Sequence, residues 1–237
     1  IGEMESALGK YELLANNGVL EKKNELNICK KLESRYNELG KKEEAFKYAV
    51  KIIKLEPSNN FYNIKVANIL AKEGSFKLSN HYFNRAIMSK GEFMIDDLKC
   101  AAFVSYKMKD YKKCITFTEE LRKRLIKEEG SNKLSDNKKD IYNLEKDLIS
   151  LYISSEELNI AKSLIESILA NKPIDKNHEF DINKFYLFVL YKLEKSERFK
   201  NLYNDLFNLY KMGEYNKNYA ALILDYAFYS YFLGDIG

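Results

Sequence analysis

Tyr36-Asn37-Glu38-Leu39-Gly40-Lys41-Lys42-Glu43-Glu44-Ala45-Phe46-Lys47-Tyr48-Ala49, running on to Ile52, Leu55 and Pro57, decides how this chain is read. The stretch holds two apolar stripes at helical spacing, broken at Gly40 and stopped at Pro57. Glycine takes the left-handed backbone that a tight turn between helices requires. Ala45 is small, so two helices can approach closely there. Pro57 has no N–H to give, so it ends this helix or begins the next. The pattern predicts a helix, a turn and a second helix running back along the first.

The same pattern recurs along the chain. Gly40 and Gly74 are 34 residues apart, and so are Ala45 and Ser79. The second unit sets Val66-Ala67 and Leu70 on its first helix, and Ser79, Phe83 and Ala86 on its second. The third has Ala101-Ala102, a turn at Lys109-Asp110-Tyr111, then Cys114, Thr118 and Leu121, with its small-residue position displaced by one. The fourth has Leu148-Ile149 and Tyr152, then Ala161, Ile165, Ile168 and Pro173, after a polar, turn-rich loop from Gly130 to Asn137. The fifth has Val189-Leu190, Leu193, Phe199, Leu202, Leu206 and Leu209, after a second long connection from Asn171 to Asn183. Ala7 and Tyr11 read as the second helix of an earlier unit, and Tyr226-Ala227 to Gly234-Asp235 as the first helix of a later one. The expected division is a partial unit over 1–25, units over about 26–59, 60–93, 95–137, 142–175 and 183–216, and a partial unit over 219–237. The chain starts at Ile1, not at methionine, and reads as a segment of something longer.

These residues resemble the tetratricopeptide repeat, whose period is 34 residues and whose pattern runs W-x2-L-G-x2-Y, then A-x3-F, then P. The first, second and fourth units match it well, the third and fifth are degenerate, and the tryptophan position never holds Trp. The resemblance implies an all-α fold, a right-handed superhelical solenoid of antiparallel helix pairs, whose first helices line a concave groove. Carried onto this sequence, the groove would present Phe61, Ile64 and Asn68 from the second unit and Lys99, Phe103 and Tyr106 from the third. The fourth would add Lys146, Ser150 and Ile153, and the fifth Leu187 and Tyr191. The last helix would add Leu224, Phe228, Tyr231 and Phe232. Exposed aromatics are the usual anchors of an interface. Members that hold a C-terminal carboxylate use Lys and Asn on three successive first helices. Lys30, Lys65 and Asn68 are partial counterparts, but Asp96 and Cys100 stand where further basic groups belong, which argues against that clamp.

Composition narrows the function. Lys+Arg is 39 against 35 Asp+Glu, so a net charge of +4 with both signs interspersed gives no pull toward nucleic acid. No run approaches the apolar length of a membrane span. Cys29, Cys100 and Cys114 are an odd set without tight spacing, each inside an apolar helical pattern, and read as buried thiols of a reducing, cytoplasmic setting. His81 and His178 have no second ligand at metal spacing, and His178 reads as a solvated loop residue. Paired acids such as Glu43-Glu44 and Glu119-Glu120 point about 100° apart on a helix and form no catalytic dyad. Arg122-Lys123-Arg124 reads as a salt-bridged helix face. No phosphate-cradling glycine motif is present. The expectation is a protein without enzyme activity, cofactor or metal that holds a protein or peptide partner as a scaffold. The Lys-, Asn-, Ile- and Tyr-rich composition of an AT-rich genome also resembles the tetratricopeptide components of the spirochaete flagellar motor collar, which would be periplasmic. The alternative is the peptide-binding domain of a bacterial quorum-sensing regulator, with a groove lined by asparagines. The aromatic final helix carries a further expectation of self-association.

Overall fold

Among the described residues, the first helix of each of five helix–turn–helix units closes on a left-handed residue. It is Gly40 (φ 71°), Gly74 (77°), Lys109 (58°), Glu156 (61°) or Glu194 (55°). In each case the following residue donates its N–H to the carbonyl five positions back. Lys41 reaches Tyr36 at 2.9 Å, Ser75 reaches Leu70 at 2.8 Å, and Asp110 reaches Ser105 at 2.9 Å. Glu157 reaches Tyr152 at 2.9 Å, and Lys195 reaches Leu190 at 3.0 Å. This geometry satisfies carbonyls that a helix end leaves open. The donor then caps the next helix, its own carbonyl accepting from Ala45, Ser79, Cys114, Ala161 or Phe199 in turn. All five of those residues are buried. One backbone device therefore ends a first helix, starts a second, and aims a fixed position of the second into the pair.

The structure, a computed structural model, describes residues 2–18, 20–131, 137–171, 175–211 and 228–229. The described residues form helices and no strand. A leading helix α1 (Gly2–Asn16) is followed by the pairs α2 (Lys22–Glu38) with α3 (Lys42–Leu55), and α4 (Asn60–Lys72) with α5 (Phe76–Met88). Then come α6 (Ile95–Lys107) and α7 (Tyr111–Ser131), followed by the pairs α8 (Lys138–Ser154) with α9 (Leu158–Ala170) and α10 (Lys176–Lys192) with α11 (Ser196–Lys211). The chain divides into two compact units, Ile1–Phe117 and Thr118–Gly237. Within the first, α1 packs on α2, α3 on α4, and α4 and α5 both on α6; within the second, α9 and α8 both pack on α10.

The core of the first unit is built from Leu32, Tyr36, Tyr48, Ile52, Ile53 and Val66 around the small Ala45 and Ala49. In the second, Leu148, Ile149, Ile165, Ile182 and Leu190 are fully buried around Ala161. The small-residue position accepts a polar atom where that atom finds a bond: Ser79 Oγ donates to the Ala67 carbonyl at 2.8 Å. The fifth pair breaks the small-residue rule, since the equivalent position is Phe199.

A tyrosine on a first helix bonds a glutamate on the helix before it in three places. Tyr36 Oη donates to Glu12 at 2.7 Å, Tyr186 Oη to Glu166 at 2.5 Å, and Tyr152 Oη to Glu119. Burial, and then the facing carboxylate, push these phenols well above the ordinary tyrosine range. Helix α1 takes part in the same way as α7 and α9, so it behaves as the second helix of a pair.

Three sequence expectations are corrected. The connection from Asn171 to Asn183 is not a long loop, because α10 begins at Lys176. The Asp175 side chain caps that helix by accepting the His178 N–H at 2.8 Å. Gly130 and Ser131 belong to the end of α7. His178 is not solvated: it is 1% exposed, with Nε2 3.1 Å from Glu145 Oε2 and its ring edge-on to Tyr142 at 4.4 Å.

Candidate partner-binding face

Helices α4 and α10 are buried around most of their girth, and this decides which of their residues a partner could reach. On α4, Tyr62, Asn63, Ile64, Val66, Ala67, Leu70 and Ala71 are all buried. What is left outward is the stripe Phe61, Lys65 and Asn68, at helical steps of four and three. Phe61 is 66% exposed, with Lys65 Nζ 5.9 Å from its ring centre. Asn68 is half-buried and donates to Asp97 Oδ1 at 2.6 Å, which ties α4 to α6. Ile64 is 6% exposed and is withdrawn from the face, because its side of α4 meets the core. Lys65 is ion-paired with Glu33 of α2, and Glu33 also accepts from Tyr62 Oη at 3.4 Å. On α6, Lys99 is exposed, Phe103 is 48% exposed and Tyr106 is 54% exposed.

In the second unit the face becomes a cleft. Lys146, Ser150, Ile153 and Ser154 of α8 form one wall and Asp181, Lys184, Phe185 and Phe188 of α10 the other, with Tyr229 closing one side. The cleft has a volume of about 490 Å³. Lys146, Ser150 and Ile153, which the resemblance assigned to a groove, line this cleft together. Leu187 does not: it is 1% exposed and turned into the core. The outward residues of α10 are Lys184, Phe185 and Phe188, which the sequence reading missed. The Asp175 cap was the signal that could have found them, since it fixes where the helix starts. Tyr191 is half-buried and stacks on Tyr229, with centroids 4.8 Å apart and planes at 23°. Phe228 is 55% exposed. Leu224, Tyr231 and Phe232 lie outside the described residues.

The cleft's charges are held by a short relay. Lys146 Nζ lies 2.6 Å from Asp181 Oδ2, and Tyr142 Oη donates to the same oxygen. Burial raises the Asp181 carboxyl, but the bonds from Lys146 and Tyr142 outweigh it and hold it below the usual range. Burial likewise depresses the Lys146 ammonium, and the Asp181 bond reverses that and raises it. Beneath the cleft, Tyr142 meets His178, His178 meets Glu145, and Arg122 Nε bonds Glu145 Oε1 at 3.0 Å. Arg124 is paired with Glu120 at 2.8 Å, so the basic run on α7 is a salt-bridged face. Among the described residues no cluster of three His, Cys, Asp or Glu side chains could hold a metal, and no helix is long and apolar enough to cross a membrane.

No family model matches the chain, and no curated protein matches it in sequence. Similar solved structures do exist. YrrB, described as a tetratricopeptide-repeat protein with an unusual peptide-binding site, is 13% identical, covers 76% of this chain and 81% of its own, and superposes with a TM-score of 0.47. The MamA protein is 12% identical over 81% of this chain and 96% of its own, with a TM-score of 0.45. PilF of Pseudomonas aeruginosa is 16% identical over 90% of this chain and 86% of its own, with a TM-score of 0.39. The fold is assigned from the chain's own paired helices and repeated turn: it is an all-α array of antiparallel helix pairs, similar to tetratricopeptide-repeat solenoids.

Proposed function

We propose that this protein is a non-catalytic interaction scaffold that holds a polypeptide partner on the outward stripes of its first helices. The observation that carries the reading is the cleft between α8 and α10. It is open to solvent, walled by Ile153, Phe185 and Phe188, and edged by the ammonium groups of Lys146 and Lys184 and the hydroxyls of Ser150 and Ser154. Apolar walls with a few polar groups at the rim are the make-up of a peptide-binding concavity. The exposed aromatics of α4 and α6 extend the same chemistry to the first unit.

The narrower expectations draw less support. A quorum-sensing regulator calls for asparagines along the groove, but the cleft wall is Lys, Ser and Phe, and Asn68 is engaged with Asp97. A place in a flagellar motor collar has no residue of the cleft behind it. Selection of binders from a displayed peptide library tests the scaffold reading. Peptides selected on the intact chain should lose binding to Ile153→Arg and Phe185→Ala. Selected peptides that bind those variants unchanged, and that are equally indifferent to substitutions at Phe61 and Phe103, refute it.

A further inference from the structure

The word Phe-Val-x-Tyr-Lys occurs twice, as Phe103-Val104-Ser105-Tyr106-Lys107 and as Phe188-Val189-Leu190-Tyr191-Lys192. Each copy ends a first helix, α6 or α10, just before a left-handed turn residue, Lys109 or Glu194. Val104 and Val189 are fully buried, which fixes the rotation of both helices. Phe, Tyr and Lys at i, i+3 and i+4 then share one outward stripe. The Lys107 ammonium lies 5.3 Å from the centre of the Phe103 ring. Lys192 lies 5.7 Å from Phe188 and 5.6 Å from Tyr191. Two equivalent platforms result, each with two rings and one cation.

They differ in what sits on them. In the second unit, Tyr229 stacks on Tyr191 at 4.8 Å and meets Phe188 edge-on at 6.1 Å. In the first unit, Phe76 braces Phe103 from α5 at 5.7 Å and Tyr111 flanks Tyr106 at 6.4 Å. The rings are held in place, yet Phe103 and Tyr106 stay about half exposed. Among the described residues no carboxylate is ion-paired with Lys107. Tyr229 also meets Phe199 of α11 edge-on at 5.8 Å, where the first unit has Cys114, so the open platform offers Phe103, Tyr106 and Lys107 alone.

We propose that Phe103, Tyr106 and Lys107 dock a helical segment of a partner polypeptide that offers an aromatic side chain with a carboxylate one turn away. The inference rests on the scaffold reading and names the partner chemistry for one face of it. The aromatic takes the position that Tyr229 takes on the sister platform, and the carboxylate meets the ammonium over Phe103. In the sequence, Tyr229 itself follows an acid, Asp225, at a four-residue step. A nucleic-acid strand fits the same rings less well. Asp96 and Asp97 at the start of α6 and Asp110 after its end would face the phosphates, whereas a single side-chain carboxylate at Lys107 avoids them.

The intact chain is titrated with a soluble helical peptide that carries Asp and Tyr at a four-residue step. A control peptide has Ala in place of that Tyr, and a short single-stranded oligonucleotide is the third probe. The Asp/Tyr peptide is expected to bind, and the control about tenfold more weakly. Tyr106→Ala and Lys107→Glu should each weaken the first peptide about five- to tenfold, while Lys192→Glu changes it less than about twofold. Far-UV dichroism checks the helices, and Tyr106→Leu and Lys107→Gln serve where the first variants disturb them. Absence of peptide binding, or binding indifferent to the Tyr of the peptide and to both platform variants, overturns the proposal. If such binding is lost in Ile153→Arg, the scaffold reading stands and only the platform falls. Oligonucleotide binding that Lys107→Glu abolishes, with no peptide binding, overturns both.

Discussion

Glu145 offers the sharpest test of how the second unit is held. It is 5% exposed, and its two oxygens serve Arg122 on α7 and His178 on α10. Glu145→Ala strips both of their acceptor at once. Removing one partner of a buried pair costs about 3–5 kcal/mol. His178 is 1% exposed and cannot turn to water, but Arg122 keeps 23% of its side chain exposed and recovers part of its hydration. The expected loss is therefore about 2–4 kcal/mol, or roughly 5–15 °C in the thermal midpoint of a chain this size. Glu145→Gln keeps an acceptor for Arg122 and should lose only about 1–2 kcal/mol. Joint replacement by Glu145→Leu and His178→Leu fills the site with apolar volume and should come within about 1 kcal/mol of the parent. Urea denaturation followed by far-UV dichroism reads all three. A Glu145→Ala loss below about 1 kcal/mol, or a double variant as damaged as the single, refutes the network as a structural element.

Four further outcomes follow from the same geometry. Burial raises the Glu145 carboxyl, but His178 and Arg122 outweigh it and hold it below the ordinary glutamate value, so its stabilisation is full above that value and is lost as pH falls through the lowered one. Acid titration should show a shallower loss of stability in Glu145→Gln than in the parent, and parallel curves would count against this. Ala45→Leu and Ala161→Leu should each overpack their helix pair and cost about 1–3 kcal/mol, and unchanged denaturation midpoints would mean the register is wrong. Gly40→Ala, at φ 71°, should destabilise, while Glu156→Gly, at φ 61°, should stabilise by a few tenths of a kcal/mol to about 1 kcal/mol; shifts of the opposite sign would refute the turn assignment. Self-association through the exposed Phe228 should appear as concentration-dependent light scattering that Phe228→Asp removes, and a monomer at every concentration would exclude it.

The turns were legible in the sequence because their chemistry is local. Gly40 and Gly74 announce a left-handed residue by type, and period carried the reading on to the turn at Lys109-Asp110-Tyr111, whereas Glu156 and Glu194 give no such signal. The groove was legible only in part. Phe61, Phe103 and Tyr106 are exposed, while Ile64 and Leu187 are buried, because an apolar residue on a helix buried around most of its girth does not reveal its side. On α10 Leu187 was placed outward and Lys184, Phe185 and Phe188 were missed, since residues 176–181, polar apart from Phe180, look like a loop until the Asp175 cap is recognised. His178 was misread for a different reason. Its burial depends on Glu145 and Tyr142 from another helix pair, and no local pattern reports a partner so far along the chain.

The phenol–carboxylate bonds Tyr36–Glu12, Tyr152–Glu119 and Tyr186–Glu166 act as rivets across the seams between successive pairs. Successive hairpins are held to one another by packing, by polar links such as Lys65–Glu33 and Asn68–Asp97, and by these rivets. Each seam is a weak plane, since a repeat in such a fold contacts only its neighbours. Drawn out between two anchored partners, each unit would yield one hairpin at a time and produce a sawtooth of force. Tyr152→Phe and Tyr186→Phe would lower individual teeth of that trace and leave their spacing unchanged.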